Sequence, residues 1–350
     1  RHARAKRPCM APRAFITGIA GLSLSDDERG FLRESRPWGF ILFKRNVDNP
    51  AQVKALVDQL RGTVGSPDAP VLIDQEGGRV QRLGPPHWPV YPPGAVFSTL
   101  YDIDPEAGLT AARLSARLIA DDLAALGITV DCLPLADVPI AGADAVIGDR
   151  AYGTSPDKVA AIARAVTDGL AQGGVLPVLK HIPGHGRATA DSHHLLPTVE
   201  TSREELDRTD FAAFRPLADL PMAMTAHVVF SALDAAQPAT TSATIIDQVI
   251  RDSIGFQGLL MSDDVSMNAL AGSIAERTRA IVAAGCDVVL HCNGKLDEMR
   301  QVVAETPELQ GRALTRAEAA LAARHAPQPF DRAAARAELD ALIGRARVGA

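Results

Sequence analysis

Several things are scarce in this 350-residue chain, and each scarcity excludes something. There are four cysteines, Cys9, Cys132, Cys286 and Cys292, with no C-x-x-C pair among them. A disulfide framework or a cysteine zinc site is therefore not expected. Three of the four lie in or beside apolar runs, which predicts buried free thiols in a reducing compartment. No apolar run approaches the ~20 residues of a membrane span. Net positive charge is also missing: the formal charge is −6, which argues against general affinity for nucleic acid. A Gly-rich phosphate turn is absent after the first strand-like run, where Gly18-Ile19-Ala20-Gly21 is a poor match to a dinucleotide fingerprint. There is no internal repeat and no linker that splits the chain.

Present instead is an alternation of short apolar runs with helical patterns. The runs are about Ala14–Ile19, Gly39–Phe43, Val71–Ile73, Ile128–Asp131, Val175–Leu179, Met222–Thr225, Gly258–Ser262 and Asp287–Leu290. Helices are expected between them, for example one opened by the S-x-x-E capping box Ser25–Glu28, one over about Pro105–Leu126 and one over about Arg203–Leu217. Eight strand–helix units predict an α/β fold, a (β/α)8 TIM-type barrel, because strands covered on both faces read as continuous apolar runs. The barrel is expected over about residues 14–295, followed by a helical tail over 296–350. Residues 11–350 form one catalytic domain in this reading, and residues 1–10 a disordered N-terminal extension. The basic Arg1–Arg7 followed by apolar Ala14–Leu22 imitates a signal peptide. The strand count needs that apolar run as strand one, which predicts a cytoplasmic protein.

Polar residues mark the ends of the strands: Lys44, Asp74, Asp131, Lys180, His181, His227, Asp263 and His291. Barrel active sites are built at that end. The densest stretch is Lys180-His181-Ile182-Pro183-Gly184-His185-Gly186, continuing to Asp191-Ser192-His193-His194. It holds four of the nine histidines. Pro183, Gly184 and Gly186 forbid a helix and predict a mobile loop after a strand that ends on Lys180-His181, two polar residues a core would reject. That loop has three readings: a metal site from His181, His185 and His193; satisfied surface histidines, which suits His194; or a general acid/base, His193, oriented and charged by Asp191 two residues away. Asp263 at the end of the seventh strand is placed to serve as a nucleophile. Asp263-Asp264 also offers a helix N-cap.

Four motifs together carry a resemblance. Lys180–Gly186 with Asp191-Ser192-His193 is similar to the KHFPGHG…DSH signature of glycoside hydrolase family 3. Ser262-Asp263-Asp264-Val265-Ser266-Met267 resembles its nucleophile motif, Asp74–Arg82 its DQEGGRVxR motif, and Val146–Arg150 its VIGxR segment. Departures are Ile182 for the usual Phe, Val265 for Leu, and Asp149 where Glu is common. Within the family the chain looks like the single-domain bacterial β-N-acetylglucosaminidases of peptidoglycan recycling. The resemblance implies Asp263 as nucleophile, His193 as acid/base and Asp191 as its partner. It also implies Asp74, Arg82, Arg150, Lys180 and His181 as the residues that bind a terminal N-acetylglucosamine.

No metal or organic cofactor is implied, and the partner is a peptidoglycan-derived sugar met by a monomer, without nucleic acid or membrane. The chemistry suits the residue types. Aspartate, near pKa ~3.9, is anionic at neutral pH, and histidine, near ~6.5, can both give and take a proton. Two other readings stay open. A metal-dependent barrel hydrolase loses activity on chelation. A non-catalytic sugar-binding barrel leaves a chromogenic N-acetylglucosaminide intact.

Overall fold

The computed structural model describes residues 10–348. Cys9 and nearly all of the expected N-terminal extension lie outside the described residues. Among those described, eight parallel strands close a barrel. They are β1 (Arg13–Thr17), β2 (Pro37–Leu42), β3 (Val71–Ile73), β4 (Val130–Asp131), β5 (Leu176–Pro177, resuming as Leu179–Ile182), β6 (Met222–Thr225), β7 (Leu259–Met261) and β8 (Val289–His291). Neighbours pair in the order β8-β1-β2-β3-β4-β5 and β5-β6-β7. A parallel bridge from Met261 to Val288 joins β7 to β8 and completes the ring.

Side chains along a strand alternate between the two faces, so the apolar runs divide into two cores. Ile16, Ile41, Leu72, Met224 and Met261 fill the barrel interior. Their neighbours Phe15, Phe40, Leu42, Ile73 and Leu260 face outward. There they meet the helices α1 (Asp26–Ser35), α2 (Pro50–Val64), α3 (Gly94–Ile103), α4 (Pro105–Ala125), α5 (Pro156–Gln172), α6 (Arg203–Arg208), α7 (Asp210–Phe214) and α8 (Ile274–Ala284), with a π-helix at Ile245–Ser253. Local chemistry starts these helices. Ser25 and Glu28 form the reciprocal capping box of α1, and Asp104 caps α4 ahead of Pro105. The tail is helical, as α9 (Leu296–Glu305), α10 (Gly311–Ala322) and α11 (Arg332–Val348). Ala317 and Ala320 of α10 join the interior core and plug the end of the barrel where the strands begin. The polar strand ends are left open at the other end.

Four local expectations are corrected. Helix α3 follows directly on the proline-rich loop, where the proline spacing concealed it. The helix expected over Arg203–Leu217 breaks at Thr209 into α6, α7 and a 3-10 turn at Arg215–Leu217. The break turns Asp210 inward to meet Arg187, whose Nε lies 2.6 Å from the Asp210 carboxylate. The fifth strand ends one residue past the expected Lys180-His181, at Ile182, and those two polar residues are not rejected from the interior. Both residues are buried there because carboxylates meet them, Asp74 and Glu76 the Lys180 ammonium and Asp137 the His181 ring. Finally, the first half of the following loop is not free. A Cβ on Gly186 would sit 2.2 Å from the Val138 carbonyl, so the backbone packs where no side chain fits.

Candidate active site

The strand ends supply the site. Asp74 and Glu76 leave β3, Lys180 and His181 belong to β5, and Asp263 follows β7. Arg150 comes from the loop after β4. It is carried in because α3 begins with Gly94, whose missing side chain admits the Arg150 carbonyl, 2.3 Å from where a Cβ would stand. These side chains line one pocket open to solvent, together with Arg82, His185, Ser192 and His193. Seven of the eight residues singled out from the sequence thus converge. The eighth, Asp191, is not in the pocket wall but stands behind His193.

One half of the site is an ion-pair network. Asp74 accepts from Arg82 Nη2 at 3.0 Å and from Lys180 Nζ at 3.2 Å. Glu76 lies 2.7 Å from the same Lys180 nitrogen. Its two oxygens also take the Arg150 fork at 2.8 and 2.9 Å. Burial works to raise the Glu76 carboxyl, but the Lys180 and Arg150 charges win and hold it at about 2. Asp74 is likewise held well below the carboxylate range: Lys180 and Arg82 outweigh its burial. For Lys180, burial is outweighed by Glu76 and Asp74, which keep the ammonium charged. Such charged hydrogen bonds fix geometry in advance of a ligand.

The other half holds Asp263 and the histidines. Burial works against ionisation of Asp263, but the neighbouring His227 and His181, the Asp264 N–H and His193 bring its carboxyl below the ordinary range. The Asp264 N–H donates to Asp263 Oδ1 at 2.8 Å, and the Asp263 N–H donates to Thr225 Oγ1 at 3.2 Å. The Asp264 side chain is spent on Ser266 and on the Cys292 N–H. Neither aspartate caps the next helix: Ser273 caps α8. His193 is exposed, and its Nδ1 lies 2.7 Å from Asp191 Oδ1, which also accepts the His193 N–H at 2.9 Å. The adjacent Ser192 is buried, its Oγ 3.0 Å from His185 Nε2. Burial and the nearby His181 push the His185 imidazole down to about 4, so it is neutral at pH 7.

Sequence reasoning missed four participants: Glu76, Asp137, His185 as a structural group, and Ser192. Glu76 and Ser192 lie inside the quoted motifs, adjacent to or one residue removed from residues that were singled out. Asp137 had no local signal. Each of the three histidines considered for a metal has one nitrogen committed, to Asp137, Ser192 and Asp191 respectively. Among the described residues no cluster of three His, Cys, Asp or Glu side chains is arranged to hold a metal ion. Cys132 and Cys286 are buried free thiols as expected, whereas Cys292 is only partly buried.

A parallel barrel whose mouth joins an ionised carboxylate, a His–Asp pair and a charged pocket offers the groups that glycoside hydrolysis uses. The chain belongs to glycoside hydrolase family 3: residues 17–322 match the glycosyl hydrolase family 3 N terminal domain. It is 40% identical over 283 residues to a β-hexosaminidase of Alkalilimnicola ehrlichii, covering 80% of each chain. A β-hexosaminidase of Neisseria meningitidis serogroup A is 38% identical over 300 residues, covering 84% of this chain and 82% of the relative. The structure resembles that of NagZ from Neisseria gonorrhoeae, solved in complex with N-trifluoroacetyl-D-glucosamine, with a TM-score of 0.82 and 32% identity. That match covers 97% of this chain and 99% of the other.

Proposed function

We propose that this enzyme is a retaining exo-β-N-acetylglucosaminidase. It removes terminal, non-reducing N-acetylglucosamine from peptidoglycan fragments, GlcNAc-1,6-anhydroMurNAc and its peptides. The observation that carries the reading is the meeting of Asp263 and His193 in the wall of one pocket whose other side is the Asp74–Arg82–Glu76–Lys180–Arg150 network. The name of the two relatives and the glucosamine derivative held by the N. gonorrhoeae protein support the choice of sugar.

In this mechanism Asp263 attacks the anomeric carbon as His193 protonates the leaving oxygen. The glycosyl-aspartate is then hydrolysed by a water that gives its proton back to His193. Asp191 holds the His193 ring through Nδ1, leaving Nε2 for the substrate. Asp74, Arg82, Arg150, Lys180 and His181 bind the sugar. The two steps balance with no cofactor. Residues 11–350 work as one catalytic unit, as a cytoplasmic monomer. No helix among the described residues is long and apolar enough to cross a membrane.

The test is turnover of a chromogenic N-acetylglucosaminide beside its glucoside analogue. Preference for the former, with release of the β-anomer first, is expected. Equal turnover of both, or an initial α-anomer, defeats the proposal.

A further inference from the structure

Asp137 lies in the loop that leaves β4 and runs beside β5. A bridge from Leu135 to Lys180 and the Ala136 N–H, which donates to the Lys180 carbonyl at 2.8 Å, hold it there. Its side chain is fully buried. Its Oδ1 accepts the His181 N–H at 3.2 Å and the His185 N–H at 2.7 Å, and its Oδ2 meets His181 Nδ1 at 2.8 Å. Burial works to raise the Asp137 carboxyl, but His181 and the His185 N–H outweigh it and hold it below the ordinary range, so it is ionised.

An ionised carboxylate accepts hydrogen bonds and cannot donate them. The Nδ1 of His181 must therefore carry a hydrogen, and Nε2 is the nitrogen left over. The ring lines the pocket, and Nε2 has no hydrogen-bond partner among the described residues.

We propose that Asp137 is a positioning residue for the reaction: it fixes His181 with its hydrogen on Nδ1 and leaves Nε2 to accept from a hydroxyl of the bound sugar. This rests on reading the pocket as the glycoside site. A ring with the other tautomer presents a donor in place of that acceptor, and the sugar hydroxyl must give its hydrogen elsewhere.

Asp137→Asn separates this role from support of the fold. Its remaining oxygen still accepts both backbone N–H groups, but its NH2 faces the ring and requires a bare Nδ1. Nitrogen-15 NMR of labelled histidine in the full chain reads the outcome, above the pH at which the ring takes a second proton. The His181 signals are those lost in His181→Gln. Wild type is expected to show hydrogen on Nδ1, and Asp137→Asn on Nε2. kcat/KM on the chromogenic N-acetylglucosaminide is expected to fall about 10–100-fold in Asp137→Asn. Added to His181→Gln, the same change is expected to cost almost nothing more, because both cut one contact.

A wild-type ring with its hydrogen on Nε2 overturns the proposal, and that measurement needs no variant of Asp137. Losses that multiply in full in the double variant overturn it too. A wild type that shows the Nδ1 hydrogen yet hydrolyses no N-acetylglucosaminide overturns the functional reading and leaves the ring assignment standing.

Discussion

Single side chains set the reaction. Asp263 and Asp264 both line the pocket, but the Asp264 carboxylate is occupied by Ser266 and the Cys292 N–H. Asp263→Ala is expected to abolish turnover, and Asp264→Ala to leave a measurable rate. Trapping with a 5-fluoro glycoside checks this, and a label on any peptide lacking Asp263 reassigns the nucleophile. For His193 the penalty depends on how much help the leaving group needs. His193→Ala is expected to slow sugar leaving groups by ~10²–10⁴-fold while nearly sparing the first step with an acidic phenol. Asp191→Asn follows the same trend more weakly. A penalty that is flat across aryl glycosides of graded leaving-group pKa shows that another group is the acid. Glu76 makes a pH prediction. Its folded pKa, about 2, lies below the ~4.3 of a free glutamate. Its contribution to stability is therefore complete above ~4.3 and is lost as the pH falls towards 2. Glu76→Gln leaves Lys180 and Arg150 short of a partner and is expected to cost about 3–5 kcal/mol at pH 7. The gap from wild type narrows between pH 4.5 and 2, as urea unfolding at stepped pH will read. A gap independent of pH removes the charge from the explanation.

Elements place those side chains, and their limits are set by specific contacts. The capping box of α1 ties the start of the helix to the preceding chain: Glu28 accepts from the Ser25 N–H and the Ala20 N–H, each at 2.9 Å. Ser25→Ala is expected to cost about 1 kcal/mol, measured as a lower urea midpoint with turnover at low urea unchanged. A loss of activity in native conditions would mean that α1 reaches the site. The break at Thr209 shows the reverse influence, of tertiary contact on local winding. Arg187 of the loop after β5 pairs with Glu205 on α6 and Asp210 on α7. The helix yields at the residue between those two elements. Loop geometry and helix geometry are one structure here, which the helical periodicity of Arg203–Leu217 could not disclose.

At the scale of the whole molecule, closure of the barrel is what brings the site together. β1 pairs with both β2 and β8, and its far end is bound to the segment before α10 through Ala14 and Leu309. Removing residues through Gly21 is therefore expected to give insoluble protein. A soluble, active product shows that the first strand is dispensable and that another segment closes the ring.

The order of elements was legible in the chain because its cause is local. A strand covered on both faces must be apolar throughout, and a strand end at the barrel mouth tolerates charge. Those two rules located the eight strands and marked Asp74, Lys180, His181 and Asp263, while loop motifs added Arg82, Arg150, Asp191 and His193. The partnerships among these residues were not legible. Glu76 and Arg150 are 74 positions apart, Asp74 and Lys180 are 106, and Asp137 and His181 are 44. Nothing in a run of neighbouring residues states which charge will meet which. Only when the strands close into a ring do these groups come within 3 Å or so of each other. Their electrostatics then decide which carboxylates stay ionised, how a buried lysine is tolerated, and which nitrogen of His181 faces the pocket.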